Sequence, residues 1–181
     1  MSKVYNSAVV IIPPEERWEP IQEIRKIYDR NINRWMPHIT LLYPFRPKTD
    51  YLALGKLFSI ACKNLEPFEL FLRKFQYFSH GHQNYTLWLV SEPVDSIVNL
   101  QASILKIVPD CNDVTKFRNG FRPHLSVGQV KGKNNLPEII TNLQKTWKEI
   151  KFTLDKIYFI SRENINSSRF EISKQINFKK E

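Results

Sequence analysis

The chain carries the same arrangement of a histidine and a hydroxyl residue twice. The two copies read Pro37-His38-Ile39-Thr40-Leu41 and Pro123-His124-Leu125-Ser126-Val127. Since successive side chains of a β-strand point to opposite faces, His38 and Thr40 share one face, as do His124 and Ser126. Two imidazoles can act as general base and general acid, and two hydroxyls can hold the oxygens of a phosphate. The pattern therefore predicts cleavage of a phosphodiester bond without a metal ion.

The two motifs occupy equivalent positions in a repeated order of elements. His38 and His124 are 86 residues apart, and so are Thr40 and Ser126. Hydrophobic periodicity predicts the order β-α-β-α-β twice, with the histidine strand third in each copy. An internal duplication explains this order and places the motifs about a pseudo-two-fold axis. The predicted strands are Tyr5–Ile12, His38–Phe45, Pro67–Phe78, Tyr85–Ser91, His124–Val130, Phe152–Ile160 and Arg169–Phe178. The first predicted helix begins at Pro13-Pro14-Glu15-Glu16 and ends at Asn31–Asn33, and the other predicted helices are Asp50–Lys63, Pro93–Val108 and Leu136–Ile150.

This order predicts an α+β protein with two pseudo-symmetric β-α-β-α-β lobes, whose antiparallel-rich sheets surround a central cleft. The lobes correspond approximately to residues 5–78 and 83–160, and one further strand follows them. We therefore interpret residues 1–181 as a single bilobal domain, which is long enough to bury a substantial core. A cleft between the lobes would bring the two histidine–hydroxyl pairs face to face.

The composition favours an anionic partner. Of the 181 residues, 42% are hydrophobic, and the formal net charge is +9 at pH 7. Such a charge favours nucleic acid or a nucleotide over an anionic membrane. Arg34, Arg46 and Arg122 flank the motifs and are the candidates for contacting a polyanion, whereas most of the lysines are expected on solvated faces.

The apolar runs and the cysteines indicate the compartment. The longest apolar runs are far too short to cross a bilayer, and the start of the chain lacks the basic segment and small-residue cleavage site of a signal peptide. Cys62 and Cys111 have no paired spacing, which predicts two reduced thiols. These features predict a cytoplasmic protein with no membrane partner.

Other chemistries find less support in the sequence. His80 and His82 lie in a polar turn without the acidic or cysteine neighbours of a metal site, so we expect no metal there. Ser126 lacks the Gly-x-Ser-x-Gly elbow of a nucleophile, and no glycine-rich phosphate loop is present in the sequence. Several aromatic residues lack the RNP1 pattern of RNA-recognition modules and are expected in the core, with one or two at the rim of the cleft. They are Phe71, Phe75, Tyr77, Phe78, Tyr85 and Trp88.

With both motifs in place, the chain resembles the 2H phosphoesterase superfamily, which is named for two His-x-Thr/Ser motifs. The superfamily includes bacterial RNA 2',3'-cyclic phosphodiesterases, also called 2'-5' RNA ligases. The resemblance covers nearly the whole chain and implies the 2H phosphoesterase fold. It implies that His38 and His124 are the catalytic residues and that Thr40 and Ser126 bind phosphate.

Three further residues are candidates to border the substrate. Tyr43 and Gln129 stand five positions after their motif histidines and are related by the internal repeat, and Arg122 precedes the second motif. Bacterial RNA-processing members of the superfamily carry arginine at the position of Gln129, and plant members carry tyrosine. The resemblance therefore leaves the substrate open.

The resemblance implies a monomeric hydrolase of RNA processing that needs no cofactor. Its expected substrates are RNA or nucleotides with 2',3'-cyclic phosphates or 2',5'-phosphodiester bonds. One histidine would take a proton from the attacking water, and the other would protonate the departing ribose oxygen. Two alternatives remain: a phosphodiesterase of 2',5'-oligoadenylates or cyclic nucleotide signals, and a non-catalytic module that binds RNA ends.

Overall fold

The described strands form one sheet with helices packed against it. The computed structural model describes residues 2–117, 119–132, 135–163 and 168–179. Its strands are β1 (Ser7–Ile11), β2 (Ile39–Leu42), β3 (Phe68–Ser79), β4 (Asn84–Glu92), β5 (His124–Lys131), β6 (Ile150–Leu154), β7 (Lys156–Ser161) and β8 (Glu171–Asn177). The helices of the described residues are α1 (Trp18–Tyr28), α2 (Tyr51–Cys62), α3 (Val94–Leu105) and α4 (Leu136–Thr146), with short 3₁₀ turns at Glu15–Arg17, Lys48–Asp50 and Asp113–Thr115. None of these helices combines the length and apolar character needed to cross a membrane.

The motif strands are neighbours in the middle of this sheet. The strand order is β6-β3-β4-β5-β2-β1-β7-β8, and each neighbouring pair is antiparallel. The sheet thus has two halves that meet where β5 pairs with β2. Each half takes strands from both predicted repeats, because β3 pairs with β4 and β7 pairs with β1. Strand β3 of the first predicted repeat thus lies in the half that contains β4, and strand β7 of the second lies in the half that contains β1. This exchange of strands connects the two halves.

Most predicted bounds differ from the structure by a few residues, and three of the differences have a clear physical reason. The predicted strand Phe152–Ile160 is two strands, since β6 pairs with β3 and β7 pairs with β1 on the other half of the sheet. The predicted helix Leu136–Ile150 ends at Thr146, because the Trp147 indole bonds to the Leu72 carbonyl of β3 at 2.9 Å and the chain then enters β6. The first motif strand ends at Leu42 instead of Phe45, where Pro44 offers no N–H to a ladder.

Burial alternates along the motif strands as their sequence pattern predicts. The apolar residues between and after the polar ones are fully buried: Ile39, Leu41, Leu125 and Val127. The polar residues are partly exposed: His38, Thr40, His124 and Ser126. The alternation therefore places the chemistry on one face of the sheet and the main core on the other.

The two faces of the sheet are packed differently. The main core lies between the sheet and the helices, and α1 contributes Ile21 and Ile24 to it. A smaller cluster covers the site-bearing face of β1 and β7, and its buried members are Ala8, Val10, Ile12, Met36, Ile160 and Phe170. This second cluster supports the segment that leads into the first motif.

Gly128 of β5 allows α1 to approach the sheet closely. A Cβ atom at this position would lie 2.3 Å from the Cβ of Tyr28 and 2.8 and 2.9 Å from the backbone C and O of that residue. Backbone atoms cannot rotate away from such a contact. Gly128 therefore fixes the end of α1 against the strand that carries the second motif.

We expect Gly128→Ala to lower the free energy of unfolding by about 2 kcal/mol, because the added methyl group overpacks this contact. Gly55→Ala on α2 is the matched control, since the atoms nearest to its Cβ would belong to the flexible side chain of Lys174 and alanine favours a helix. Urea unfolding of both variants measures the difference. A Gly128→Ala protein as stable as the wild type would contradict the close approach.

Candidate active site

The pairing of β2 with β5 brings the two motifs together. Ile39 lies opposite Leu125 in this antiparallel pair. The register places His38 across from Ser126 and Thr40 across from His124. Directly opposed Cβ atoms are about 4.5–5.5 Å apart in such a pair, and diagonal neighbours are about 7–8 Å apart. The four polar residues therefore form a two-by-two block, with the histidines at diagonal corners.

Both imidazoles are held in the same way. Nδ1 of His38 donates to the Met36 carbonyl at 2.7 Å, and Nδ1 of His124 donates to the Arg122 carbonyl at 2.7 Å. Since a carbonyl oxygen only accepts, each bond keeps a hydrogen on Nδ1 and leaves Nε2 for proton transfer. Each carbonyl belongs to the residue two positions before its histidine. The same backbone hydrogen bond thus orients both motif histidine rings.

The surroundings of His38 favour its neutral form. The ring stacks on Trp35 at a centroid distance of 4.7 Å and an interplanar angle of 17°. Desolvation is the main cause that lowers the pKa of His38 to about 4, and the positive charge of Arg25 adds to it, although the bond to Met36 opposes both. At neutral pH this imidazole is unprotonated and available as a base.

A buried ion pair supports the first motif. Arg25 of α1 is 2% exposed, and its Nε donates to Asp29 at 2.8 Å. Its Nη2 donates at 2.9 Å to the carbonyl of Trp35, three residues before His38. Asp29 also accepts a hydrogen bond from the Gln129 amide at 3.2 Å. The pair therefore connects α1, the segment that leads to His38, and β5.

His124 lies among aromatic rings of the other half of the sheet. Its ring meets Phe78 edge-on at 4.9 Å and Trp88 at 5.6 Å. The Arg122 guanidinium lies 5.2 Å from the Trp88 centroid and 5.7 Å from the Phe78 centroid. Desolvation is the main cause that lowers the pKa of His124, and the charge of Arg122 contributes. Phe78 and Trp88 are thus the predicted aromatic residues that lie beside the site.

Tyr43 contacts the aromatic wall next to His38, which is formed by Trp35 and Phe170. Its ring meets Trp35 edge-on at 5.6 Å, and its hydroxyl donates to the Tyr5 carbonyl at 3.0 Å. Desolvation raises the pKa of Tyr43, and the charges of Arg162 and Arg34 oppose this rise. Tyr43 therefore lies near the block with its hydroxyl engaged by the main chain, and contact with substrate stays a prediction.

Gln129 joins β5 to the end of α1. Its carbonyl oxygen accepts from the backbone N–H of Arg30 at 3.2 Å, and its amide nitrogen donates to Asp29 at 3.2 Å. Both ends of the side-chain amide therefore bind protein groups. The observed partners make Gln129 a positioning residue for this region, and its predicted contact with substrate stays untested.

The three arginines that flank the motifs have different environments. Arg34 and Arg122 are exposed, and Arg122 lies beside His124. Arg46 is only 6% exposed and forms an ion pair with Asp110. The expectation that Arg46 contacts a polyanion is wrong, because its charge is directed to the loop before the second motif.

Three residues beside the site are absent from the sequence prediction. Phe170 covers the second face of Trp35, with ring centroids 3.8 Å apart. Trp35 lies three positions before His38, and an aromatic residue so close to the motif could have been predicted from the sequence to contact the histidine. Arg25 shares the helix face of Ile21 and Ile24, and a charge on an apolar face indicates a buried partner. Nothing in the sequence connects Phe170, far along the chain, with His38.

The other candidate ligands do not assemble into a metal site in the described part of the chain. No group of three or more His, Cys, Asp or Glu residues is arranged there to hold a metal ion. His80 is instead bonded through Nε2 to the Thr86 hydroxyl at 2.8 Å. Cys62 and Cys111 are both buried and form no disulfide.

Comparison with known proteins identifies the class to which this fold and site belong. The family model of the 2'-5' RNA ligase superfamily matches residues 13–166, which include both motifs. The chain belongs to the 2'-5' RNA ligase superfamily. A candidate phosphoesterase from Bacillus licheniformis is 22% identical over 153 residues, which are 84% of this chain and 87% of that protein.

Solved structures share the whole fold at low sequence identity. LigT from E. coli, crystallised with 3'-AMP, has a TM-score of 0.64 and 14% identity, and the match covers 99% of this chain and 100% of LigT. A protein from Thermus thermophilus has a TM-score of 0.60 and 17% identity, over 97% of this chain and 98% of that one. The α+β fold implied by the resemblance to 2H phosphoesterases is thereby confirmed.

We expect the His38 imidazole of the free protein to titrate near pH 4, and His124 below the ordinary value of 6.5, because both rings are desolvated. Between these values the native protein binds fewer protons than the unfolded chain, so stability falls as the pH drops from 6.5 through 4. ¹⁵N NMR of the imidazole nitrogens measures both midpoints, and His38→Asn assigns the first. A His38 midpoint above pH 6 would contradict the described environment.

Proposed function

We propose that the protein is a phosphodiesterase that hydrolyses RNA-type 2',3'-cyclic phosphates or 2',5'-phosphodiester bonds without a metal ion. The observation that carries this proposal is the two-by-two block of His38, Thr40, His124 and Ser126. It sets two proton-transfer groups and two hydroxyl donors on one partly exposed face, at spacings that suit a single phosphate. Membership of the 2'-5' RNA ligase superfamily supports phosphoesterase chemistry in general.

In the proposed reaction, His38 is the general base and His124 is the general acid. Nε2 of neutral His38 takes a proton from water as the water oxygen forms its bond to phosphorus. The bond between phosphorus and a ribose oxygen breaks, and protonated His124 gives its Nε2 proton to that oxygen. The low pKa of His38 supports this polarity. An anionic phosphate beside His124 raises its pKa and thereby supplies the acid form.

Thr40 and Ser126 stabilise the charge that develops on the phosphate. Each hydroxyl lies across the ladder from the histidine of the other motif. A phosphate held by both hydroxyls is therefore within reach of both imidazoles. Donors of this kind stabilise the transition state, and removal of one costs about 10²–10³-fold in rate in well-studied enzymes.

A nucleotide or an RNA end is the partner that the charges support. The net charge is +9 and the exposed Arg122 lies beside His124. LigT, which shares the fold, has been crystallised with 3'-AMP and with ATP. Because the Gln129 amide is bonded to Asp29 and Arg30 and carries no charge, we expect arginine side chains such as Arg122 to attract the substrate phosphates. We expect the protein to act as a monomer in the cytoplasm.

The decisive experiment incubates the purified protein, in EDTA, with the four 2',3'-cyclic mononucleotides and a 2',5'-linked adenylate trimer. We expect turnover, followed by phosphorus NMR, to fall at least about 10³-fold in His38→Ala and in His124→Ala, because each removes a proton-transfer group. His82→Asn is the matched control. This substitution removes an exposed imidazole, and asparagine tolerates the positive φ of 47° at position 82.

Each outcome has a separate meaning. Histidine-dependent turnover in EDTA supports the proposal, and the preferred substrate separates cyclic phosphates from 2',5'-linkages. Full turnover by either alanine variant would refute the assigned roles. Turnover that EDTA abolishes would refute the metal-free mechanism. Tight RNA binding by the wild type without any product would favour the module that binds RNA ends.

A further inference from the structure

Arg162, just after β7, is a cation without an acidic partner among the described residues. Its main chain is anchored by two hydrogen bonds to Asn6, of 2.9 and 3.1 Å. Its side-chain Nε and Nη1 are buried and have no hydrogen-bond partner within the described parts of the chain. Buried guanidinium donors are normally paired, so an exception in a folded protein indicates a ligand or a function.

Arg162 lines an open cavity of about 930 Å³, which is large enough for a nucleotide. The cavity also has two exposed cations at its edge, Lys48 and Arg169, and two carboxylates, Glu163 and Glu171. Its charged groups therefore leave a positive excess around the guanidinium. The planar fork of arginine matches the geometry of a phosphate better than lysine does.

A wall of aromatic rings lies between this cavity and His38. Trp35 is stacked between His38 and Phe170, with centroid distances of 4.7 and 3.8 Å. The Arg162 guanidinium lies over the Phe170 ring, 5.2 Å from its centroid. Because both faces of Trp35 are covered, it offers no face to a base and serves as a rigid spacer. Arg162 is therefore held at a fixed separation from the first motif.

We propose that Arg162 binds a second phosphate of an oligonucleotide whose terminal phosphodiester is bound at His38 and His124. This inference rests on the proposed function, which concerns only the terminal phosphate. The terminal nucleoside lies along the aromatic wall, and the next phosphate reaches the cavity. A mononucleotide lacks this phosphate, so the cavity selects a longer RNA end as substrate.

The test compares two trinucleotides that end in the same 2',3'-cyclic phosphate. One has ordinary phosphodiester linkages, and the other has uncharged methylphosphonate linkages. We expect the wild type to prefer the charged trinucleotide by about tenfold or more in kcat/KM, because the contact is a charge-assisted hydrogen bond. Arg162→Gln should abolish most of this preference, and Arg162→Lys should retain part of it. Lys56→Gln, which removes one exposed charge from α2, is the matched control and should keep the full preference.

The measured quantity is the ratio of kcat/KM for the two trinucleotides within one variant. A smaller fraction of folded Arg162→Gln protein lowers both values equally and leaves this ratio unchanged. Equal preference in Arg162→Gln and the wild type would overturn the proposal, as would a wild type that hydrolyses both trinucleotides equally. Failure of the wild type to hydrolyse either trinucleotide, or any cyclic mononucleotide, would instead refute the proposed function itself. Loss of preference in Lys56→Gln as well would show a general charge effect and overturn the role of Arg162.

Discussion

The pairing of β2 with β5 is the contact on which the candidate active site depends. Among the described residues it consists of Ile39 opposite Leu125, and both side chains are fully buried. Burial of such a side chain contributes about 1.5–3 kcal/mol, which fixes the register of the two strands. A shift by one residue would turn the histidines and hydroxyls into the core. The apolar residue between each histidine and its hydroxyl is therefore as necessary as the polar pair.

The internal repeat supplies two similar imidazoles, and their neighbours make them different. Both rings donate Nδ1–H to the carbonyl two residues before them. Desolvation is the main cause that lowers the pKa of His38, and the charge of the buried Arg25 adds to it while Asp29 opposes it. His124 instead has the exposed Arg122 as its charged neighbour. The difference between the surroundings of the two imidazoles thus arises outside the motif itself.

The sequence predicts those parts of the structure that depend on local periodicity. The alternation of residues gives the face shared by His38 and Thr40, and the repeated order of elements gives the α+β class. Contacts between distant segments leave no such pattern. The exchange of β3 and β7 between the halves, the break between β6 and β7, and the position of Phe170 on Trp35 all depend on long-range pairing. Arg46 is a further example, since its flanking position suggests a ligand contact and its partner Asp110 lies far along the chain.

The central claim is that both halves of the sheet hold one phosphate. Titration of the ¹⁵N-histidine-labelled protein with inorganic phosphate tests it most directly, because the Nε2 resonances of His38 and His124 report separately. The account predicts that both resonances shift with one shared dissociation constant, and that Thr40→Ala or Ser126→Ala weakens the response of both together. A response from only one histidine, or two different dissociation constants, would contradict a single phosphate site across the β2–β5 pair.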